Sequence, residues 1–254
     1  MNKPICFVDL DDTLFQTQAK MTKYRLADPY CIAAVSPEGT PRSFMTQEQS
    51  HFVDWLSSST HFIPVTARSS RELSLVSLRF NSWKVVAHGG VIITPTGEAE
   101  SVWRNDVVMK LNEYGTQLNA MYQFLIRKQP EGQDIAVKLY TEYEDVPIYL
   151  SVKLGEYFPL DIADSLVKEM HSEFDMRRYR VHVNENNIHW LPCCIDKGHA
   201  VEYLLKILKN EFGQIPVLGF ADSINDFGFL KHCSWFGIPQ YSQLAALTKN
   251  NLSV

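Results

Sequence analysis

The chain has 254 residues, 45% of them hydrophobic, with 24 Lys and Arg against 29 Asp and Glu and a formal net charge of −5. That length suits one large or two small domains, and the apolar content can bury a full core. No basic patch is dense enough for nucleic acid, and no apolar run approaches the roughly 20 residues of a membrane span. Met1-Asn2-Lys3 leads into a strand, so no signal peptide is expected. Cys6, Cys31, Cys193, Cys194 and Cys233 include no C-x-x-C pair, which indicates neither a zinc site nor a disulfide framework. Reduced thiols and a cytoplasmic setting are expected. The chain is read as a monomer, although no residue pattern decides its oligomeric state.

A strand is expected at 4–9, through Ile5-Cys6-Phe7-Val8, and it runs into Asp9-Leu10-Asp11-Asp12-Thr13. Tyr30 to Val35, Pro37-Glu38-Gly39 and Arg42 to Phe44 read as a hairpin with a tight turn. A helix follows at about 46–58, where Thr46 and Gln49 fit a capping box and Phe52, Trp55 and Leu56 recur at helical spacing. Strand 61–66 ends in Thr66-Ala67-Arg68-Ser69. A helix through Leu73, Val76 and Leu78 and a strand at 83–87 come next, and His88-Gly89-Gly90 marks an exit from this pattern. No role is assigned to His88.

From 91 to 190 the pattern changes. One helix is expected over 106–127, with Val107, Val108, Leu111, Leu118, Met121 and Leu125 on one face. Ile135, Val137 and Leu139 alternate with polar neighbours, as do Ile148, Leu150 and Val152. A helix at 161–174 carries Ile162, Leu166, Met170 and Phe174. Val181 and Val183 then alternate with Arg180, His182 and Asn184, before a last strand with Ile188 and Trp190. Such alternation predicts an antiparallel sheet with one face on helices and the other wet. Beyond it, Asp196-Lys197-Gly198 opens an amphipathic helix, and Val217 to Ala221 runs into Asp222-Ser223-Ile224-Asn225-Asp226. The expected fold is α/β: a doubly wound parallel-sheet core from 1–90 and 191–254, with an α+β domain inserted at 91–190.

An apolar strand ending in three carboxylates is costly to bury unless a cation or hydrogen bonds offset the desolvation. Asp9 and Asp11 at such an end suit a Mg²⁺ and phosphoryl-transfer site. Asp9, Thr66 and Asp222 are all expected at carboxyl ends of strands, where ligands bind in open parallel sheets. Arg68, two residues beyond Thr66, is expected to contact a bound phosphate-bearing substrate.

An Asp pair, a Thr, a Lys and a second Asp pair in this order resemble the four motifs of the haloacid dehalogenase superfamily of phosphohydrolases. The resemblance covers the core, about half the chain. Ala67, Ala221 and His88 stand where relatives usually have Gly, Gly and Asn. The position of the middle domain resembles the cap of sucrose-phosphate, trehalose-phosphate and mannosylglycerate-phosphate phosphatases.

The resemblance implies Asp9 as nucleophile and Asp11 as general acid and base. It implies Thr66, Lys197 and Asn225 around the phosphoryl group, and Mg²⁺ held by Asp9, Asp11 (through its main-chain carbonyl), Asp222 and Asp226. Arg180 and His182 on the cap sheet would contact the rest of the substrate, and the 30–44 hairpin would be an extended flap. The implied activity is Mg²⁺-dependent removal of phosphate from a phosphorylated sugar or related small metabolite. The alternatives are a phosphomannomutase-like mutase, which would isomerise a hexose 1-phosphate instead of releasing phosphate, and a non-catalytic phosphosugar-binding protein. The substrate itself is not legible.

Overall fold

The structure, a computed structural model, describes residues 3–128, 135–155, 160–184 and 187–252. The side chains of 160–162, 184 and 250–252 lie outside the described part, and with them the positions expected for Ile162 and Asn184. The chain forms two compact units, Met1–Glu100 with Asp196–Val254, and Ser101–Ile195.

The first unit opens with β1 (Ile5–Val8), a four-residue strand buried throughout. A small three-stranded sheet follows from β2 (Gln16–Thr17), β3 (Cys31–Val35) and β4 (Pro41–Met45), with α1 (Gln18–Lys23) between the first two. The Pro37-Glu38-Gly39 turn joins β3 to β4, and Gly39 takes a φ of 82° that favours glycine. α2 (Gln47–Ser59) starts at a reciprocal Thr46–Gln49 capping box. It buries Val53 and Leu56, while Phe52 meets Phe220 edge-on at 5.1 Å. Trp55, expected on the same face, is instead 45% exposed.

β5 (His61–Pro64) pairs in parallel with β1. α3 (Ser70–Leu73) is one turn long, far shorter than the helix expected through Leu78. Beyond it the Val35 N–H donates to the Leu75 carbonyl and the Ser77 N–H to the Ala33 carbonyl, while Val76 bridges Ala34. Pairing with β3 satisfies this backbone in place of further helical turns. β6 (Lys84–Val86) and β7 (Val91–Ile93) form a hairpin, which keeps residues 91–93 in the first unit; the second begins at Ser101.

The second unit contains α4 (Ser101–Leu111), α5 (Gly115–Lys128), β8 (Ile135–Glu142), β9 (Val146–Leu154), α6 (Leu160–Glu173), β10 (Tyr179–Asn184) and β11 (Asn187–Pro192). Its sheet is antiparallel in the order β10-β11-β9-β8. The helix expected over 106–127 is two helices, broken by a turn at 112–114 ahead of Gly115. Leu118, Met121 and Leu125 pack with Leu150, Val152, Met170 and Trp190 in one core. The opposite sheet face, expected to be wet, holds Tyr149 at 2% and Ser151 at 7% exposure. Tyr149 stacks on Tyr140 at 4.4 Å between ring centroids and lies 5.5 Å from His189; an aromatic cluster covers the middle of that face, while Lys138, Lys153 and Arg180 on it are exposed.

The chain returns to the first unit through α7 (Lys197–Phe212), β12 (Val217–Phe220), α8 (Phe227–Leu230), β13 (Trp235–Gly237) and α9 (Gln243–Leu252). The sheet runs β13-β12-β1-β5, every pair parallel, with β1 and β12 in the centre. A bridge between Val65 and Val85 carries the parallel pattern on toward β6. Near-continuous apolar runs in β1 and β5 fit strands covered on both faces. Among the described residues, no helix is long and apolar enough to cross a membrane.

Candidate active site

β1 and β12 end side by side, and the Asp9 N–H donates to the Phe220 carbonyl at 2.9 Å, which seats Asp9 at the carboxyl edge of the sheet. The chain then turns sharply. Asp12 adopts a left-handed φ of 62° and its N–H reaches the Phe15 carbonyl, so Thr13 folds back under the carboxylates. The Thr13 hydroxyl lies 3.4 Å from both Asp9 Oδ2 and Asp222 Oδ1.

α7 supplies the central cation. Its N-cap Asp196 accepts the His199 N–H, which fixes the first turn and aims Lys197 at the sheet edge. Lys197 Nζ lies 2.7 Å from Asp9 Oδ1 and 2.6 Å from Asp226 Oδ1. Ser223 donates to the other Asp226 oxygen at 2.5 Å. One carboxylate oxygen from each of Asp9, Asp222 and Asp226 falls within 4.8 Å of the others.

These carboxylates are not at ease. Burial pushes Asp9 well above the usual carboxylate range despite the attraction of Lys197, and Asp226 and Asp222 push it the same way. Burial, then Asp226 and Asp12, raise Asp222 to about 7. For Lys197, burial opposes the charge, but Asp226 and Asp9 outweigh it and raise its pKa. One ammonium therefore does not neutralise the cluster. Hard oxygen donors, clustered at this spacing and left under-compensated, fit a Mg²⁺-type ion. When bound, such an ion favours the ionised carboxylates and supplies charge stabilisation for a phosphoryl group. Asp11 does not share this cluster by its side chain: both its oxygens are taken by Arg68, Nε to Oδ2 and Nη2 to Oδ1, each at 2.7 Å.

Thr66 follows β5, is 1% exposed, and its Oγ accepts the Arg68 N–H at 3.1 Å. Three consecutive residues brace this turn from behind. Ala87, His88 and Gly89 all have positive φ, of 50°, 56° and 92°. The Ala87 N–H donates to the Arg68 carbonyl at 2.6 Å and the His88 N–H to the Thr66 carbonyl at 3.1 Å. A Cβ on Gly89 would lie 2.6 Å from the Asp196 carbonyl carbon, so the Thr66 turn and the start of α7 meet through this glycine. Such strain is held only where surrounding contacts over-determine it.

The structure thus brings Asp9, Thr66, Arg68, Lys197, Asp222 and Asp226 to one edge of one sheet in the first unit, with Asp11 tied to them through Arg68. Asn225 is exposed on the single turn Ile224–Asp226. Arg180 and His182 belong to β10 of the second unit. Arg180 directs a guanidinium N–H to the Ile195 carbonyl, and His182 faces His189 with ring centroids 5.8 Å apart. Thr13, Ser223 and the Asp12–Lys20 ion pair had no assigned place in the sequence reading. Position inside the two Asp motifs was the available signal for Thr13 and Ser223; nothing local marks Lys20.

No protein-family model matches the sequence, and no curated protein matches it significantly. Solved structures do match in shape. The sucrose-phosphatase of Synechocystis sp. PCC6803, solved with sucrose and phosphate, is 20% identical with a TM-score of 0.56, over 100% of this chain and 89% of that one. The C-terminal domain of Candida albicans trehalose-6-phosphate phosphatase is 16% identical with a TM-score of 0.56, over 91% of this chain and 73% of that one. A Thermoplasma acidophilum protein is 11% identical with a TM-score of 0.52, over 98% of each chain. At these identities the likeness establishes the fold, which is that of the sucrose- and trehalose-phosphatase structures.

Proposed function

We propose that the chain is a Mg²⁺-dependent phosphohydrolase of the haloacid dehalogenase superfamily, acting on a phosphorylated sugar or related small metabolite. The observation that carries this reading is the Lys197 ammonium bridging Asp9 and Asp226, with Asp222 beside them, at the carboxyl edge of the parallel sheet. The fold shared with two sugar-phosphate phosphatases supports it.

In the reaction, the Asp9 carboxylate attacks phosphorus, the bond to the ester oxygen breaks, and an aspartyl-phosphate forms. Protonated Asp11 gives its proton to the departing oxygen. Asp11, now ionised, takes a proton from the water that attacks the aspartyl-phosphate; alcohol and inorganic phosphate leave, and both aspartates are restored. Thr66 and Lys197 donate to the transferring oxygens, with Asn225 beside them, and Lys197 offsets repulsion between Asp9 and the phosphate. Asp226, oriented by Ser223, holds Lys197 in place. Asp9, Asp222, Asp226 and the Asp11 main-chain carbonyl would hold the Mg²⁺. Recognition beyond the phosphoryl group is assigned to the second unit, with His182 and Arg180 as candidates.

The test is a panel of phosphorylated metabolites assayed for phosphate release with Mg²⁺, for the wild type and Asp9→Asn. Release from at least one sugar phosphate, lost in the variant, is expected. No release from any ester, or equal release by both proteins, would remove the reading.

A further inference from the structure

The ion pair between Arg68 and Asp11 poses a mechanical problem for the reaction proposed above. A general acid must present an oxygen to the leaving group, yet both Asp11 oxygens are occupied by the Arg68 fork at 2.7 Å. While that fork stays closed, one lone pair on each oxygen is taken and the group is bound as a carboxylate, poorly placed to carry a proton to an ester oxygen. Something has to open it.

Arg68 is built to stay while Asp11 leaves. Its N–H is held by Thr66 Oγ and its carbonyl by the Ala87 N–H, so its main chain is fixed on both sides. Its guanidinium carbon sits 5.3 Å from the centroid of the fully buried Phe15 ring, and its side chain is 16% exposed. The Asp11 side chain is 49% exposed, with room to rotate. Asp9 is also among the charges acting on the guanidinium, which places Arg68 within electrostatic reach of the reaction centre as well as of Asp11. An ion pair open to water on one side is weakly held. A phosphate dianion offers the same planar fork more charge than a carboxylate does.

We propose that Arg68 is a positioning residue that exchanges partners: it holds Asp11 in reserve as a carboxylate in the resting chain, transfers its fork to the arriving phosphoryl group, and so releases Asp11 to take up a proton from the phosphate monoanion or solvent water and deliver it to the leaving oxygen. The exchange makes acid catalysis conditional on an occupied phosphate site. Without Arg68, the arrival of the phosphoryl group no longer hands Asp11 over, and the leaving group loses its aligned proton donor. The inference rests on the phosphohydrolase reading.

A double-mutant cycle on Arg68→Ala and Asp11→Asn tests it, with p-nitrophenyl, phenyl and benzyl phosphate as probes and Mg²⁺ present. Nitrophenolate leaves with little help from an acid, and benzyl alkoxide needs it most, so dependence on an aligned proton donor appears as a slope across the series. In Arg68→Ala, kcat is expected to fall no more than about tenfold for the nitrophenyl ester and about a hundredfold or more for the benzyl ester. In the Asp11→Asn background, Arg68→Ala should add no further slope, because the residue it acts through is already disabled. Arg68→Lys should recover KM and leave the slope unrepaired, since Lys keeps the charge and loses the fork. A crystal structure of the wild type with Mg²⁺ and orthovanadate should show the Arg68 fork on vanadate oxygens and Asp11 turned away from it. Equal losses across the series in both backgrounds, or a fork still closed on Asp11 with vanadate bound, would overturn the exchange and leave the phosphohydrolase reading standing. A wild type inactive on all three esters with Mg²⁺ would overturn both.

Discussion

Replacing Lys197 with Met removes the only cation that touches both Asp9 and Asp226 among the described residues, while keeping the length of the side chain. The three side chains are 12%, 8% and 3% exposed, so water enters poorly to take the place of the ammonium. Carboxylate oxygens within 4.8 Å of each other repel by about 3.5 kcal/mol at an effective dielectric constant near 20. Removing one partner of a buried pair typically costs about 3–5 kcal/mol, and the two figures agree. The sign with pH follows from Asp9, which burial already raises. Without Lys197 its folded pKa rises further, so the lost stability is small near pH 4 and grows as pH climbs through the folded value. Urea unfolding of the metal-free protein should therefore show Lys197→Met less stable by about 3–5 kcal/mol at pH 8, and by clearly less at pH 5, where a proton takes the place of the ammonium. A loss below about 1 kcal/mol at pH 8, or one that does not change with pH, would refute the view that Lys197 neutralises a buried carboxylate cluster.

Asp9→Asn should fold normally and lose turnover by at least about a thousandfold; more than a tenth of wild-type phosphate release would remove Asp9 as nucleophile. EDTA should stop phosphate release and Mg²⁺ restore it, while Ca²⁺, with its larger and looser oxygen shell, should inhibit; full activity in EDTA would exclude a metal role. Thermal stabilisation by Mg²⁺ should grow between pH 5 and pH 8. Asp222 at about 7 and the raised Asp9 hold protons in the metal-free fold, so that fold loses stability as pH rises from about 4 toward 7, and Mg²⁺ must displace those protons at the lower pH. A gain in Tm that is flat with pH would contradict the assignment. Gly89→Ala should destabilise by about 2–4 kcal/mol, since it strains a φ of 92° and drives a Cβ into the Asp196 carbonyl; denaturant titration of the variant measures this.

What the sequence made legible was local. The capping box at Thr46 and Gln49 and the paired strands β8 and β9 are set within a few residues, and both appear in the structure, although β9 is buried at successive positions instead of alternating. The spacing of Leu73, Val76 and Leu78 suited a helix equally well, and the chain took another course because distant β3 offered backbone partners. The single helix expected over 106–127 failed for a nearer reason: a turn and Gly115 interrupt it, and hydrophobic spacing alone does not register a break that preserves the apolar face. At the site, the convergence of Asp9, Thr66 and Asp222 followed from the rule that parallel strands present ligands at their carboxyl ends, while Lys197, at a helix start, was placed there by the family resemblance. The closure of Arg68 on Asp11 did not, because it joins side chains 57 residues apart and depends on where the Thr66 turn aims its third residue.

Charge explains why the site needs so many separated segments. Asp9, Asp11, Asp12, Asp222 and Asp226 bring five carboxylates to one sheet edge, against Lys197, Arg68 and the Lys20 that pairs with Asp12. With all of them ionised, two negative charges remain, and a phosphate ester adds two more. The fold spreads these charges over separate elements. The two central strands deliver the acids, a helix start delivers Lys197, and the turn after β5 delivers Arg68. Burial first, and the neighbouring carboxylates after it, raise Asp9 and Asp222. On the proposed reading, a divalent cation at Asp9, Asp222 and Asp226 would remove the protein's own excess and leave the charge of a phosphate ester to Lys197, Thr66 and the Arg68 guanidinium.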